Sequence, residues 1–183
     1  LTFFAMTPKP SASTPQIRRC PDFGDYLLFW PISVFGVALD LWSKNAVFAW
    51  LQSVPSQEYS LIDGFLQFIL RENAGAAFSL FAGMKWLFIA ISFLAMLVLV
   101  VLFFWGKLTP RLTLAALACM NAGILGNLYD RLFNEGRVRD FIDVYVGDYH
   151  WPTFNVADSL LCIGVGILLI AGFTGTTGQK PAA

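Results

Sequence analysis

The chain has 183 residues, of which 57% are hydrophobic and 13% are charged, and it contains 18 Phe and 6 Trp. This composition is too apolar for an ordinary soluble domain and indicates an integral membrane protein. The 12 basic residues balance the 12 acidic ones, so bulk charge gives no reason to expect a nucleic-acid partner. Three scattered cysteines and one histidine argue against a disulfide framework and against a zinc site.

The first predicted span follows a tail rich in Pro, Ser and Thr, residues 1–25, which is typical of a disordered segment. The span covers Tyr26–Trp50 and is apolar except for Asp40, Lys44 and a few uncharged polar residues. An arginine pair ahead of an apolar run is also typical of a signal peptide. Because this run is long and lacks a small-x-small cleavage site, we predict a membrane helix instead.

The stretch "SLIDGFLQFILREN" after the first span predicts a β-hairpin. Asp63 and Gly64 lie between apolar stretches, and both residue types tolerate the positive φ of a tight turn. We therefore expect a small sheet from Ser60 to Arg71 on the membrane surface.

Three further spans follow along the chain. Trp86–Trp105 is twenty residues without a charge and has a Trp at each end, as a helix that crosses the bilayer requires. Leu112–Tyr129 carries two asparagines, and Asn155–Phe173 has Asn155 and Asp158 in its first four residues. The loop between these two spans, about Phe133–Phe154, includes "VRDFIDVYV", whose apolar spacing fits neither helix nor strand cleanly.

The predicted fold is an all-α membrane protein with four transmembrane helices in residues 26–173, plus a small β-sheet on the outer membrane surface between helices 1 and 2. An even number of spans puts the tails 1–25 and 174–183 on one side. Six basic residues fall on each side of the membrane, so the positive-inside count is tied. The pair Arg18 and Arg19 before the first span favours cytoplasmic tails.

This topology gathers polar residues at one membrane surface, because spans one and three exit where spans two and four enter. Ten of the twelve acidic residues lie on that side. Ionisable groups at membrane depth are costly to bury, so such a gathering is a candidate functional site. The polar residues at or near this surface are Asp40, Lys44, Asn73, Asn127, Asp130, Arg131, Asp140, Asp143 and Asp158.

Each of these motifs also has a purely structural explanation. Asp40 and Lys44 are spaced for an ion pair within one helix. "NAGAAFS", residues 73–79, is typical of a turn, and the glycines of "NAGILGN" let membrane helices approach closely. Asn155 and Asp158 are typical of a helix cap followed by an acid in the first turn.

The functional alternative is a pair of aspartates. Two adjacent carboxyl groups share a proton, because the first negative charge opposes the second. Such a pair can activate water and protonate a leaving amine, which suits peptide hydrolysis. Asp130 adjoins Arg131 and is the easiest to explain as a structural ion pair, whereas Asp158 is the best placed, at the mouth of a span. The residues alone do not select two members from Asp130, Asp140, Asp143, Asp148 and Asp158.

Five sequence blocks stand out along the chain: "DLWSK" (40–44), "NAGAAFS" (73–79), "GNLYDR" (126–131), "VRDF" (138–141) and "FNVADS" (154–159). They occur in the order and spacing of the bacterial lipoprotein signal peptidases, signal peptidase II, which the chain resembles from about Tyr26 to Phe173. The resemblance implies a four-helix membrane aspartic peptidase of the bacterial inner membrane, with its site near the periplasmic surface and both termini cytoplasmic.

The resemblance also implies the reaction and the site residues. Such enzymes remove the signal peptide from prolipoproteins by cutting immediately before a cysteine that carries diacylglycerol. Asp140 and Asp158 match the catalytic pair. The expected partners are this lipidated precursor and membrane lipid, and we expect a monomer with no metal or other cofactor. The matching supporting positions are Asp40, Lys44, Asn73, Gly75, Gly126, Asn127, Arg131 and Asn155.

Helical spacing indicates how these residues could meet. Asn155 lies about one turn before Asp158 on the same side of a helix, and its amide can both donate to and accept from neighbouring groups. Asn127 and Arg131 form a second polar stripe on the preceding span. We expect Asp140, on the intervening loop, to fold back and complete the pair.

Two other classes of protein fit the polar gathering less well. A proton- or ion-coupled carrier would use membrane acids as a relay, but it would be expected to show an inverted repeat and acids at the midplane. A structural membrane subunit predicts that Asp140→Asn and Asp158→Asn have no effect in any assay. The peptidase hypothesis predicts that both changes abolish cleavage.

Overall fold

The structure, a computed structural model, describes residues 21–75, 81, 83–105 and 111–173. The predictions for residues 1–20 and 174–183 therefore lie outside the described residues. In chain order the elements are α1 (Phe23–Leu51), β1 (Glu58–Ile62), β2 (Leu66–Asn73), α2 (Lys85–Trp105), α3 (Arg111–Phe133), β3 (Val138–Val146), β4 (Tyr149–His150) and α4 (Val156–Phe173).

Four helices are long and apolar enough to cross a membrane within the described part of the chain, which confirms the four predicted spans. α1 begins at Phe23, ahead of the predicted start, because Asp22 and Asp25 form a reciprocal capping box there that satisfies otherwise unpaired N–H groups. α3 continues past Tyr129 to Phe133. The charged and polar residues of that last turn have partners in the folded protein, as described below.

α3 is the central helix and packs against α1, α2 and α4. In the most apolar 18-residue stretch of each helix, 61% of the residues of α3 are buried, compared with 17% of those of α2. The core between the helices includes Phe29 and Phe103, whose ring centroids lie 4.7 Å apart. Side chains exposed on α2 are almost all apolar, as expected of a helix that faces lipid.

Glycines on α3 bring α4 close to it, as the "NAGILGN" pattern predicts. A β-carbon on Gly123 would meet the backbone carbonyl oxygen of Ala157 and would lie 2.7 Å from Leu161 Cγ. Because backbone atoms cannot move aside as a flexible side chain can, this contact requires glycine. The same contact fixes the first turn of α4, where Asp158 lies.

We expect Gly123→Ala to destabilise the protein by about 1–3 kcal/mol, the usual cost of overpacking a filled core. The matched control is Gly166→Ala on α4, since a β-carbon there has no atom within 4 Å and alanine is the better helix former. Unfolding of both purified variants in detergent measures the difference. Equal stabilities for the two variants would contradict this account of the interface.

The strands form one antiparallel sheet in the order β1-β2-β3-β4. The predicted hairpin is confirmed, with a turn between Ile62 and Leu66 in which Gly64 has a φ of 77°. The sheet is larger than predicted, because "VRDFIDVYV" is the strand β3 and β4 follows it. Both strands come from the connection between α3 and α4, so only β1 and β2 lie between the first two helices.

The sequence of β3 lacks the alternation of apolar and polar residues that would predict a strand, for a physical reason. Arg139 and the two aspartates of the strand are partly or fully buried with specific partners, so charged residues occupy positions that alternation would give to apolar ones. The strand also packs against α1 and α3. In its antiparallel pairing with β2, Asp140 lies opposite Arg71. β3 thus carries one of the predicted aspartates to the ends of the helices.

Candidate active site

The N-terminal end of α4 brings the two predicted aspartates together through one asparagine. The buried Asn155 side chain donates from Nδ2 to Asp140 Oδ1 at 2.7 Å. Its backbone N–H donates to Asp158 Oδ2 at 3.2 Å. Both carboxyl groups therefore bind the same residue, and both line one cavity.

Asn155 and Asp158 also form the cap of α4. The backbone N–H of Asp158 donates to Asn155 Oδ1 at 3.0 Å, and the reciprocal bond to the Asp158 carboxylate completes a capping box. A negative charge in the first turn is favoured by the helix dipole. The capping and functional explanations of this motif are therefore compatible, since the cap holds Asp158 in place.

Asp40 of α1 supports the same turn from the other side. Its Oδ1 accepts the backbone N–H of Ala157 at 2.8 Å, one of the free donors at the start of α4. Gly126 of α3 allows this approach, because a β-carbon there would collide with Asp40 Oδ2. Asp40 of α1, Gly126 of α3 and Ala157 of α4 thus meet beside Asp158.

Asp140 of β3 is almost completely buried, with 2% of its surface exposed. Asn73, at the end of β2, donates from Nδ2 to Asp140 Oδ2 at 3.2 Å. Burial raises the pKa of Asp140 to about 7, and the charge of Asp158 adds to this rise, against the hydrogen bonds from Asn73 and Asn155. Asp140 therefore retains its proton at pH values where an exposed carboxyl group is ionised.

Asn127 of α3 orients the Asp158 carboxylate. Its Nδ2 donates to Asp158 Oδ1 at 2.8 Å. Its Oδ1 accepts from Lys44 Nζ and from Asn155 Nδ2, both at 3.1 Å. Because two donors occupy the oxygen side of the amide, the NH₂ group is held towards Asp158.

A buried charge network lies behind this amide. Lys44 Nζ is 2.7 Å from Asp40 Oδ2 and 3.3 Å from Asp130 Oδ2. Asp130 also pairs with Arg139 at 2.7 Å. The predicted ion pair within α1 is therefore present and extends to α3. Asp130 is in an ion pair as expected, but its described partners are Lys44 and Arg139, not the adjacent Arg131.

Arg131 joins α3 to the segment that follows β2. Its guanidinium donates to the backbone oxygens of Asn127 and Gly75, each at 3.4 Å, and lies 5.0 Å from the ring centre of Phe88. The charge also interacts with Asp158 and Asp140. The polar stripe predicted on this helix thus faces the aspartate pair.

The beginning of "NAGAAFS" is a turn, one of the two explanations left open by the sequence. The backbone N–H of Gly75 donates to Asn73 Oδ1 at 2.9 Å, which leaves Asn73 Nδ2 directed at Asp140. The turn therefore also serves the site. Residues 76–79 of the motif lie outside the described residues.

The remaining candidate acids do not join the pair. Asp143 Oδ2 lies 2.8 Å from His150 Nδ1 and accepts from Gln67 Nε2 at 2.7 Å. Asp148 is exposed in the turn between β3 and β4. The residues that line the cavity beside Asp158 include neither of them.

Sequence reasoning missed Arg139 as a supporting residue. It holds Asp130, and its guanidinium also donates to Asn45 Oδ1 on α1, so it fixes the strand that carries Asp140. Its place beside Asp140 in "VRDF" was the available signal. The partners that define its role are distant in sequence, so spacing alone could not identify them.

The cavity at the aspartate pair has a volume of about 660 Å³. One end is polar and includes Asp140, Asp158 and Arg131. The rest of the lining reaches Leu161 and Ile163 of α4 and is mostly apolar. The described residues contain no group of three or more His, Cys, Asp or Glu side chains that could hold a metal ion.

Comparison with known proteins gives a consistent result. The model of the family described as Signal peptidase (SPase) II matches residues 32–174. The lipoprotein signal peptidase of Rhodopirellula baltica is 40% identical over 92% of this chain and 80% of its own length. That of Alteromonas mediterranea is 42% identical over 80% of this chain and 81% of its own length.

Two solved structures, both described as bacterial membrane enzymes, have the same fold. One has a TM-score of 0.74 and 30% identity, and the match covers 90% of this chain and 97% of that one. The other has a TM-score of 0.66 and 30% identity, over 85% and 97% of the two chains. With its four membrane helices and the match to the family over most of its length, the chain belongs to the signal peptidase II family of multi-pass bacterial membrane peptidases, the lipoprotein signal peptidases.

Proposed function

We propose that this protein is an aspartic endopeptidase that cleaves diacylglyceryl-modified prolipoproteins immediately before the lipidated cysteine. Water activated between Asp140 and Asp158 is the nucleophile. The observation that carries this proposal is the binding of both carboxyl groups to Asn155 at the end of a cavity that is polar at the aspartates and apolar along α4.

The surroundings of the two carboxyl groups support different roles. Asp158 lies at the start of a helix, and its carboxyl oxygens accept hydrogen bonds from Asn127 and from the backbone of Asn155. Asp140 is buried beside the charge of Asp158, so its pKa is raised to about 7. Asp158 is therefore the base and Asp140 is the acid.

The reaction follows from this assignment. Asp158 takes a proton from water as the water oxygen bonds to the scissile carbonyl carbon, and Asp140 donates its proton to the carbonyl oxygen. When the tetrahedral intermediate collapses, the C–N bond breaks and the proton on Asp158 passes to the leaving amine. The amine becomes the N-terminus of the lipidated cysteine. Asp140 recovers its proton from the hydroxyl group of the intermediate as the carbonyl reforms.

The cavity supports a lipidated substrate. Its apolar wall includes Leu161 and Ile163, which belong to the membrane-spanning helix α4. Burial of acyl chains there would stabilise binding by about 0.8 kcal/mol per methylene. In this proposal the site lies near the periplasmic surface, both termini are cytoplasmic, and the enzyme acts as a monomer without a metal or other cofactor.

The direct test uses the purified protein and two synthetic precursors that differ only in the diacylglyceryl group on the cysteine. We expect the modified precursor to be cut, with mass spectrometry placing the lipidated cysteine at the new N-terminus. The unmodified precursor should remain intact. Cleavage at another bond, or failure to cut the modified precursor, would overturn the proposal.

Activity should depend on the proton of Asp140. Since the group must be protonated to act as the acid, kcat/KM should fall as pH rises through about 7, the pKa of this buried carboxyl group. A rate profile with the lipidated precursor measures the midpoint.

Asn73→Leu provides the matched variant for this profile. It keeps a similar volume and removes the hydrogen bond that favours the ionised form of Asp140. We expect the alkaline midpoint to move to higher pH in this variant. A profile that stays flat through pH 7, or a midpoint that moves to lower pH in the variant, would contradict the assignment of Asp140 as the acid.

A further inference from the structure

A second cavity adjoins the first on the side of the sheet. Its volume is about 350 Å³, and its lining includes Arg71, Glu72 and His150. The two cavities share Asn73, Asp140 and the segment 151–153 as a common wall. A chain that passes from one cavity into the other therefore passes Asp140.

The linings of the two cavities indicate which part of the substrate each one would bind. The first follows α4 and is mostly apolar, so it suits acyl chains. The second lies outside the membrane helices, and its lining combines the charged and polar side chains of the strands with Trp151 and Pro152 of the connection to α4. It therefore suits the water-soluble segment that follows the lipidated cysteine.

One cation of the second cavity is available to a ligand. Glu72 in the wall is paired with Arg137 at 3.0 Å, and Asp140 is held by Asn73 and Asn155. Arg71 is exposed, and within the described residues it forms neither an ion pair nor a side-chain hydrogen bond. An exposed guanidinium in a cavity wall is suited to bind a carboxylate.

The register of the sheet sets the distance from the reaction. Arg71 and Asp140 are opposite each other on antiparallel strands, so their side chains share a face of the sheet and their α-carbons are about 5 Å apart. Each residue of an extended substrate advances about 3.4 Å. The long Arg71 side chain can therefore reach the second or third residue after the scissile bond.

We propose that Arg71 is a specificity-determining residue that binds an acidic side chain at the second or third position of the mature segment. This inference rests on the proposed function, because it places that segment in the second cavity. It adds a preference in the water-soluble part of the substrate to the requirement for lipid on the cysteine.

The test compares three lipidated precursors that are identical except at those two positions, which are both Asp, both Asn or both Lys. The enzymes are wild type, Arg71→Gln and Arg71→Glu, with Arg111→Gln and Arg111→Glu as matched controls. Arg111 is exposed at the opposite end of α3. The measured quantity is the ratio of kcat/KM for the acidic precursor to that for the basic one.

We expect this ratio to be about two- to fivefold in wild type, the range expected of a solvent-accessible ion pair. It should fall towards one in Arg71→Gln and invert in Arg71→Glu, and the Arg111 variants should keep the wild-type ratio. Misfolding cannot cause the inversion, because it would lower kcat/KM for both precursors and would not make the basic precursor a better substrate than the acidic one.

Two results would overturn the inference. If wild type cleaves the precursors but Arg71→Glu keeps the wild-type ratio, the inference fails and the proposed function stands. If wild type cleaves none of the three lipidated precursors, the proposed function fails and the inference fails with it.

Discussion

Asp158→Asn should reduce turnover of a lipidated precursor by about 10²- to 10⁴-fold, the usual contribution of a positioned acid or base. The substitution keeps the shape of the side chain but removes the carboxylate that takes the proton from water in the proposed mechanism. Asp140→Asn should cause a loss of the same order, because the amide has no proton of comparable acidity to donate. Single-turnover cleavage by the purified variants measures both effects.

Asp143→Asn and Asp148→Asn are the controls for these changes. Asp143 is buried against His150 and Gln67, and Asp148 is exposed in a turn, so neither contacts the pair. We expect both controls to retain activity within a few-fold of wild type. Full turnover by Asp140→Asn or by Asp158→Asn would eliminate the proposed mechanism.

Lys44→Met should have the largest effect on stability, a loss of about 3–5 kcal/mol in the free energy of unfolding. Lys44 is fully buried and is the described cation within ion-pair distance of Asp40, which is also fully buried. Methionine fits the space but leaves the Asp40 carboxylate without a compensating charge. Asp130 is less affected, because Arg139 remains beside it.

The double variant Asp40→Asn with Lys44→Met separates the charge effect from packing. Asparagine keeps an oxygen for the N–H of Ala157, which Asp40 accepts in the wild type, and no uncompensated charge is left on α1. We expect it to recover much of the stability lost in Lys44→Met. Denaturant unfolding in detergent compares wild type, Lys44→Met and the double variant. If Lys44→Met alone were as stable as wild type, the ion pair would not stabilise the fold.

Lys44→Met should also weaken catalysis, because Lys44 Nζ is one of the two donors that orient the Asn127 amide. Without it the amide is less firmly held towards Asp158. We therefore expect Lys44 to act as a positioning residue through its hydrogen bond to Asn127. A role in the site would account for an ionisable network between membrane helices, where such groups are costly.

The features that sequence reasoning predicted depend on local patterns. The span Trp86–Trp105 follows from length and apolar composition, and the turn at Gly64 follows from its tolerance of positive φ. The cap at Asn155 follows from spacing within one turn. In each case the cause lies within a few residues of its effect.

The features that it could not predict depend on contacts between distant segments. β3 was not recognised because Asp140 and Asp143 are buried by partners on other elements. For the same reason residue patterns alone could not select the aspartate pair, and the resemblance to a family was needed. The bridge from Lys44 to Asp130 joins α1 to α3, which no helical spacing reveals.

The central claim is that the carboxyl groups of Asp140 and Asp158 are electrostatically coupled, with the proton on Asp140. Difference infrared spectroscopy can follow the carbonyl stretch of a protonated carboxyl group during a pH titration of the purified protein in detergent. We expect a band that titrates at about pH 7, disappears in Asp140→Asn, and titrates at lower pH in Asp158→Asn, because the neighbouring charge is then absent. A band that persists in Asp140→Asn, or a midpoint that Asp158→Asn leaves unchanged, would contradict the claim.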